Sequence, residues 1–521
     1  MTKKMGVAAV ITALLLAPAC TDLTEVPQSA ITPNNFYRNA DEAVGGLASV
    51  YAQLRQTVEG AYEITEVSSD EIVVPTRGQD WLDNGKWLDI HHHTFTPNSP
   101  AGLDNINNAW NQLFQGVAKA NVVLAGVENV NFTGKATVKA ELRVLRAYYY
   151  FMLQDLFGGV PIVTDVAIMP RAQNTRAEVA KFIEDEIIAA RPDLPVSWAQ
   201  EWNGRVTQGA ADAMLASLYL NAQVFTGTVS ATGLTKGTAR WQDAITAADK
   251  VLNSPAGYQL DPVWRHNFTY DNNVSKEIIF AVKFLNQSGL GLNFLQRALH
   301  YTQFTPSPWN GYATLAETYF AFDANDIRRQ IFLQGLQYNV ETGAPVKDRQ
   351  GNPLIFTPAI GNENAATEGA GVRIMKWPFD PGHIQQDNGN DYAHFRLAEI
   401  DLIKAEAMNE LGQTVQAINL INTTTRARAF VGSPTGPKPL SPALTQAALR
   451  DSILAERLFE LTAEGKRRTD LIRIGAEQGG VNKYNVTWSY KPGPTPAYKI
   501  LFPIPQTQID VNPLLKQNPG Y

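Results

Sequence analysis

Hydrophobic residues recur with a helical period along the first half of the chain. The clearest stripe places Val44, Leu47, Ala48, Tyr51 and Leu54 at positions i, i+3, i+4, i+7 and i+10. Further stripes of the same kind occupy residues 110–124, 142–156, 179–187, 211–225 and 241–252. This spacing gathers the apolar side chains on one face of a helix. Successive helices of this kind bury their apolar faces against one another, so the pattern predicts a scaffold of helical pairs.

Polar and helix-breaking residues mark where several of these helices begin and end. Thr175 and Glu178 have the spacing of a capping box ahead of the fourth stripe, and Thr207 stands where it would cap the fifth. Gly158 and Pro161 follow the third stripe, and both residue types interrupt helices. These signals predict helix starts at Thr175 and Thr207 and a helix end at Gly158.

The middle of the chain, residues 255–395, has a different pattern. Gly, Pro, Asn and aromatic residues are frequent there, a brief helical signal covers 315–322, and the best strand candidate is 277–284. Helical periodicity then returns in 397–411, 415–428 and 446–463. The chain from Tyr484 onward is proline-rich and is predicted to be extended. The sequence therefore predicts a mainly α fold: a tetratricopeptide-like scaffold of helical pairs with a long loop-rich, ligand-binding remainder.

The first twenty residues have the features of a secretory signal. Two lysines precede an apolar run over residues 6–16, which is shorter than the roughly 20 residues needed to cross a bilayer. Small residues then lead to Cys20, the single cysteine of the chain. This arrangement resembles a bacterial lipoprotein signal, although Ala17 stands where such signals usually carry leucine. The resemblance implies a signal peptide at 1–19 and acyl chains on the thiol and the new amino group of Cys20. The alternative is a plain secreted protein with an unmodified cysteine.

Composition narrows the class of protein. The chain has 521 residues, of which 44% are hydrophobic and 18% charged, as in an ordinary globular protein. Its formal charge of −6 argues against a nucleic-acid-binding protein, which would normally be basic. A single cysteine excludes a disulfide scaffold and a zinc-thiolate site.

Common catalytic motifs are missing from the sequence. It contains no H-E-x-x-H zinc motif, no G-x-S-x-G nucleophile motif and no phosphate-binding loop. His91, His92 and His93 are adjacent and so cannot form the i, i+4 pair that binds a metal on one helix face. Two carboxylates far apart in sequence could still meet as the acid pair of a glycoside hydrolase, so a secreted polysaccharide hydrolase stays open as an alternative.

Several stretches, in the same order along the chain, are similar to one family of proteins. They lie at 140–150, 156–161, 241–245, 277–280, 395–407, 453–471 and 501–521. The most specific pieces are ILAER at 453–457 with EGKRRTDL at 464–471, and the LFPIP and QNPGY segments near the last residue. On these motifs the chain resembles the SusD/RagB family.

The resemblance implies a non-enzymatic lipoprotein of the outer membrane that faces the cell exterior. Members of this family have four tetratricopeptide-like units, bind glycans or sometimes other nutrients, and sit on a TonB-dependent transporter of the SusC type. By that resemblance the chain captures an oligo- or polysaccharide and delivers it to such a transporter. No cofactor and no metal are implied. Within the family, a peptide or another nutrient is the alternative ligand.

The expected organisation has four parts. The signal peptide of 1–19 is followed by a polar membrane tether at 20–35, a helical-pair part at 36–254, and a part with the loop-rich region and closing helices at 255–521. The last two parts are expected to form one compact unit. The resemblance gives the charged residues of the C-terminal motif a structural role as an ion network: Glu456, Arg457, Arg467, Arg468 and Asp470.

Carbohydrate binding calls for exposed aromatic rings, because one face of a sugar ring is apolar while its rim carries hydroxyl groups that need polar partners. A turn-rich stretch at 69–87 offers both. It is similar to a stretch found in part of the family, where the first tryptophan lies near the ligand. The candidate ligand-binding residues of this stretch are Arg77, Asp80, Trp81, Asp83 and Asn84. Trp87 and the histidines after it are predicted to be packed.

A second candidate stretch lies at 300–312 in the loop-rich region, where the ligand-binding loops of the family occur. Its candidate residues are Tyr301, Trp309 and Asn310. Trp377 and Tyr392 are further loop candidates. By contrast, Trp110 and Trp241 lie on helix stripes and are predicted to belong to the core.

Overall fold

A computed structural model describes residues 37, 39–475, 483–486 and 488–521. The predicted signal peptide at 1–19, the predicted lipid attachment site at Cys20 and the predicted tether at 20–35 lie outside the described residues.

Helices dominate the first half of the described chain. They are α1 (Ala40–Gln53), α2 (Gly60–Val67), α3 (Lys86–His91), α4 (Asn107–Glu128), α5 (Lys135–Phe157), α6 (Arg176–Ala190), α7 (Gln208–Leu220), α8 (Ala222–Phe225) and α9 (Trp241–Leu252). They pack in series, with α1 on α4, α4 on α5, α5 on α6 and α7 on α9. The predicted mainly α scaffold of helical pairs is confirmed.

The predicted helix boundaries follow from local chemistry. Thr175 and Glu178 form the reciprocal hydrogen bonds of a capping box at the start of α6. The Thr207 hydroxyl accepts from the Ala210 N–H at the start of α7. Gly158 ends α5 at a φ of 77°, in the left-handed region that glycine adopts without steric cost.

The second half carries shorter helices and small two-stranded sheets. The helices are α10 (Phe294–Ala298), α11 (Ala316–Ala321), α12 (Leu397–Glu410), α13 (Thr414–Thr423), α14 (Thr425–Ala429), α15 (Gln446–Leu461), α16 (Arg467–Gly475) and α17 (Gln506–Val511). The strands of the described chain are β1 (Ile72–Val73), β2 (Thr228–Ser230), β3 (Gly233–Thr235), β4 (Ile278–Val282), β5 (Ala313–Thr314), β6 (Phe332–Leu333), β7 (Gly335–Leu336), β8 (Ile355–Phe356), β9 (Arg373–Ile374) and β10 (Tyr392–Arg396). The pairs are β1–β5, β2–β3, β4–β10, β6–β9 and β7–β8, all antiparallel.

Several sequence predictions need correction. The stripe at 211–225 is two helices that break at Asn221, and the stripe at 415–428 breaks at Thr424, whose φ and ψ of −114° and −99° are not helical. The chain after Tyr484 includes the short helix α17 rather than only extended structure. Helices α2 and α3 were not predicted, because they are too short for apolar periodicity to show. The strand predicted at 277–284 is confirmed by β4.

One large hydrophobic cluster runs from Ala43 to Leu515, so residues from both halves share a core. Trp110 is buried in it as predicted, and Trp241 is half-buried at the start of α9 and packs against it. Trp377 and Tyr392 are buried with their rings stacked 5.5 Å apart, so as ligand candidates both are wrong.

The predicted ion network of the C-terminal motif is confirmed as a set of buried ion pairs. Arg457 pairs with Asp470 at 2.7 Å, and Arg467 with Asp70 at 2.7 Å. Arg468 lies 3.1 Å from Asp155. The remaining acid, Glu456, accepts from Arg328 at 2.7 Å and from Arg426 at 2.9 Å. Because isolated buried charges are costly, these pairs tie the last helices to the rest of the fold.

Within the described residues, none of the helices combines the length and the apolar character that crossing a membrane requires.

Candidate functional site

The two predicted ligand-binding stretches meet because β1 pairs with β5. In this antiparallel pair Ile72 lies opposite Thr314 and Val73 opposite Ala313. The chain that leaves β1 therefore runs beside the chain that enters β5. Residues 74–85 and 300–312, far apart in sequence, become neighbouring loops on one surface.

Trp81 and Trp309 form the aromatic pair of this surface. The Trp81 Nε1–H donates to the backbone carbonyl of Trp309 at 2.6 Å, and the ring centroids are 6.4 Å apart with planes inclined at 49°. Trp309 is 40% exposed and Trp81 is half-buried. The pair forms an open, angled apolar face.

A second aromatic layer supports Trp81 from below. Trp87 and Tyr312 are both buried, and their ring centroids lie 5.3 and 5.9 Å from that of Trp81. The Trp87 indole N–H donates to Asp83 Oδ2 at 2.7 Å. The prediction that Trp87 is packed is confirmed, and it explains why the ring of Trp81 has a fixed orientation.

The loop backbone adopts unusual conformations at this surface. Trp81 and Asn310 have φ values of 62° and 51°, in the left-handed region that side chains rarely enter. Gly311 passes so close to Trp81 that a Cβ at this position would lie 2.3 Å from the indole ring. Backbone strain of this kind persists where surrounding contacts over-determine it, and it concentrates at functional sites.

A polar rim borders the aromatic pair. Asp80 Oδ2 accepts from the Tyr301 hydroxyl and, at 2.8 Å, from Arg349 Nη2. The guanidinium carbon of Arg349 lies 3.9 Å from the centroid of the Tyr301 ring, so one face of that ring is covered. Tyr301 therefore has at most one ring face left for stacking, and its hydroxyl can still accept a hydrogen bond.

The ionisation of the rim is set by these contacts. The hydrogen bond from Tyr301, followed by the one from Arg349, lowers the pKa of Asp80 below its ordinary value. Partial burial and the adjacent Asp80 carboxylate raise the pKa of Tyr301 to about 12. Near neutral pH the rim thus presents a carboxylate, a phenol and a guanidinium.

Arg77 and Asn310, both predicted to contact ligand, are buried beneath the surface instead. Arg77 donates to the carbonyls of Asn310 at 2.8 Å, Gly311 at 3.0 Å and Ala370 at 2.9 Å. The Asn310 side chain accepts from Arg373 at 2.8 Å and donates to the carbonyl of Glu368 at 3.2 Å. The structure gives these two residues a positioning role, because their polar groups are taken up by the loops.

Asp83 and Asn84 lie exposed in the turn after Trp81. Asp83 uses one carboxylate oxygen for Trp87, and Asn84 has a φ of 56° in this turn. Both residues follow Trp81 closely in the chain, and both stay predicted ligand contacts.

Sequence reasoning missed Arg349 and Glu368. Glu368 Oε2 accepts from the Arg349 backbone N–H at 2.9 Å and lies 2.9 Å from His300 Nε2. Burial lowers the pKa of His300 although Glu368 opposes this, so the imidazole is neutral near pH 7. Arg349 lies in the polar stretch 347–353, which contains no aromatic residue, and no sequence signal links it to Asp80.

Among the described residues, no group of three or more His, Cys, Asp or Glu side chains is arranged to hold a metal ion.

Comparison with known proteins establishes the family. The model of the SusD family matches residues 256–521, and a second model, described as "Starch-binding associating with outer membrane", matches residues 39–220. Because the first match covers more than half of the chain, the chain belongs to the SusD family.

Similar proteins match most or nearly all of the chain. SusD-like protein P2 of Formosa agariphila is 25% identical over 540 residues, with 98% of both chains covered. Starch-binding protein SusD of Bacteroides thetaiotaomicron is 24% identical over 460 residues, covering 78% of this chain and 76% of the relative. The solved structure of a laminarin-binding SusD-like protein is 23% identical, with a TM-score of 0.71, and covers 93% of this chain and 100% of its own. This structural likeness shows the fold.

Proposed function

We propose that the chain binds a glycan on the surface formed by Trp81 and Trp309. The observation that carries this proposal is the juxtaposition of two tryptophans, one of them 40% exposed, with a polar rim of Asp80, Tyr301 and Arg349. An exposed indole offers an apolar face to the C–H side of a sugar ring, and the rim offers donors and acceptors to its hydroxyl groups.

Each group has a distinct part in this binding. The angled indoles of Trp81 and Trp309 hold one sugar ring or two successive rings. Arg349 donates hydrogen bonds, and Asp80, Asp83 and Asn84 accept them from hydroxyl groups at the rim. Binding of this kind breaks no covalent bond, so the proposed function is capture rather than hydrolysis.

The names of the relatives support a polysaccharide as the ligand class. One relative is a starch-binding protein, and two neighbouring structures are described as a laminarin-binding protein and a surface glycan-binding protein. Peptide binding by strand addition calls for an exposed sheet edge, whereas the candidate site presents tryptophan rings.

We further propose that the protein is a lipid-anchored component of the outer membrane that faces the cell exterior and delivers its glycan to a TonB-dependent SusC-like transporter. The family description of outer-membrane association and the lipoprotein-like sequence ending at Cys20 support this location. Two or more acyl chains would anchor the protein stably, since one chain gives only reversible membrane binding. Mass spectrometry of the mature amino terminus, with Cys20→Ser as the unmodified control, tests the anchor.

Isothermal titration against laminarin, starch and their hexaoses tests glycan binding. We expect Trp309→Ala to weaken binding about tenfold or more, which is ~1.4 kcal/mol. Tyr270→Ala is the matched control, because Tyr270 is 48% exposed and lies outside the candidate site. If Trp81→Ala and Trp309→Ala both bind like the parent protein, the proposed site is wrong. Release of reducing ends from these glycans would favour the hydrolase alternative.

A further inference from the structure

A second pair of tryptophans lies on a different surface. Trp198 and Trp202 flank Arg205, whose guanidinium carbon is 3.9 Å from the Trp198 ring centroid and 5.2 Å from that of Trp202. Arg205 is held in place by Glu141, with its Nε 2.9 Å from Oε2. The Trp198 indole N–H donates to the Val206 carbonyl at 2.9 Å. The loop that carries the two rings is therefore fixed by charge and hydrogen bonds.

Two adjoining grooves border this loop. One, of about 360 Å³, lies between Trp198 and Tyr258. The other, of about 220 Å³, lies between Trp202 and the apolar face of α1 that carries Val44, Leu47 and Tyr51. The two grooves are continuous, because residues of the loop and of the neighbouring strand β4 line both. These shared residues are Asn203, Gly204, Arg205, Ala281 and Lys283.

The lining chemistry is that of a sugar-binding surface. Trp202 leaves 47% of its surface exposed, although large aromatic side chains are usually mostly buried. Amide side chains of Gln200, Asn203 and Asn273 line the groove beside Trp198, and Asn203 also lines the groove beside Trp202.

We propose that the grooves around Trp198 and Trp202 form a second glycan-binding site. It would take another stretch of the same class of polysaccharide that binds at Trp81 and Trp309. The inference rests on the proposed function for its ligand class, but it uses none of the residues of the first site. A polymer long enough to reach both sites would be held by two contacts, and its second contact would form at high effective concentration.

Fluorine NMR of the full chain labelled with 5-fluorotryptophan separates the two sites, because each of the ten tryptophans gives its own reporter. Trp202→Phe and Trp309→Phe assign the two resonances of interest. Laminarihexaose and maltohexaose serve as the probes. We expect the resonances of both Trp202 and Trp309 to shift when a hexaose that the protein binds is added.

The possible results are distinguishable. A shift of Trp309 without Trp202 supports the proposed function and overturns the second site, leaving the grooves to a partner of another kind. A shift of Trp202 without Trp309 supports the second site and contradicts the first. If neither resonance shifts with any tested hexaose or its polymer, both sites are contradicted.

Retention in gels that contain the polymer provides an independent test. We expect Trp202→Ala to weaken affinity for the polymer about tenfold, since one of two linked contacts is lost. The Trp202→Ala substitution should not change the shift of the Trp309 resonance when the hexaose is added. Tyr270→Ala again controls for the loss of an exposed aromatic ring. Equal retention of Trp202→Ala and the parent protein would overturn the proposal.

Discussion

The guanidinium group of Arg77 donates from Nη1 to the backbone carbonyl of Asn310 at 2.8 Å, joining two loops separated by 233 residues in the sequence. The same group reaches the carbonyls of Gly311 and Ala370. Buried carbonyl groups need donors, and these loops are too irregular to supply them through a sheet. The spacing of Trp81 and Trp309 is therefore set from beneath by a buried cation.

We expect Arg77→Met to lower the free energy of unfolding by about 3 kcal/mol, because it leaves several buried carbonyl groups without donors. Glycan binding should weaken as well, although Arg77 does not reach the surface, since the loops that carry the two tryptophans lose their support. Urea denaturation and isothermal titration measure the two effects.

Arg349→Ala is the matched control for this prediction. The Arg349 side chain is 54% exposed, so its removal should change stability by less than about 1 kcal/mol while binding still weakens. If Arg77→Met is as stable as the parent protein, the support role of Arg77 is contradicted.

Removal of the Trp81 ring and removal of the Trp309 ring should lower the stability of the folded protein by different amounts. Trp309→Ala should weaken binding with little loss of stability, because the ring is 40% exposed. Trp81→Ala should reduce both, since its ring packs on Trp87 and Tyr312, and loss of a half-buried aromatic costs about 2 kcal/mol. Thermal melting and titration of the two variants provide the comparison, and equal stability losses would contradict it.

The sequence predicted the helical scaffold well but only part of the site. Stripes such as the one from Val44 to Leu54 are local, and the helix they predict follows from spacing alone. Trp81 and Trp309 were chosen as candidates from residue type, turn content and the family resemblance; the structure brings the two rings together, and their contact with a ligand stays a prediction. Arg77 was misplaced because type does not reveal burial, and Arg349 was missed because its contact with Asp80 spans 269 residues of irregular chain.

Glu460 should be among the most important acids for stability. Burial alone would raise its pKa, but the guanidinium groups of Arg428, Arg396 and Arg328 hold it well below the ordinary value. Glu460→Gln leaves these cations short of a counter-charge and should cost about 3–5 kcal/mol in urea denaturation.

Glu128→Gln is the control for this prediction, because Glu128 pairs with Lys139 on the exposed surface and should give no resolvable change. A loss at Glu460 no greater than the one at Glu128 would contradict the structural role of the buried network.

Glu71 should make stability depend on pH. It is buried beside Glu66, and burial together with the neighbouring carboxylate raises its pKa well above 4.5. A raised pKa in the folded state adds stability that is fully present below the unfolded value and is lost as pH rises through the folded value. The parent protein should therefore lose stability from this group as pH rises above the ordinary glutamate value, by at most ~1.4 kcal/mol per pH unit, until the raised folded-state value is passed.

Glu71→Gln removes this titration while its side-chain oxygen can still accept from the Ala463 N–H, which Glu71 Oε2 does at 2.8 Å. The variant should gain stability relative to the parent as pH rises from 5 to 8, measured by urea denaturation at each pH. A difference that does not change with pH would show that Glu71 is ionised in the folded protein throughout this range.

A crystal structure with a bound hexaose tests the central claim most directly. The account predicts a sugar ring packed on the exposed face of Trp309 and in contact with Trp81, with hydroxyl groups within hydrogen-bonding distance of Asp80 or Arg349. Well-defined sugar density elsewhere on the protein, with the Trp81 and Trp309 surface empty, would contradict it.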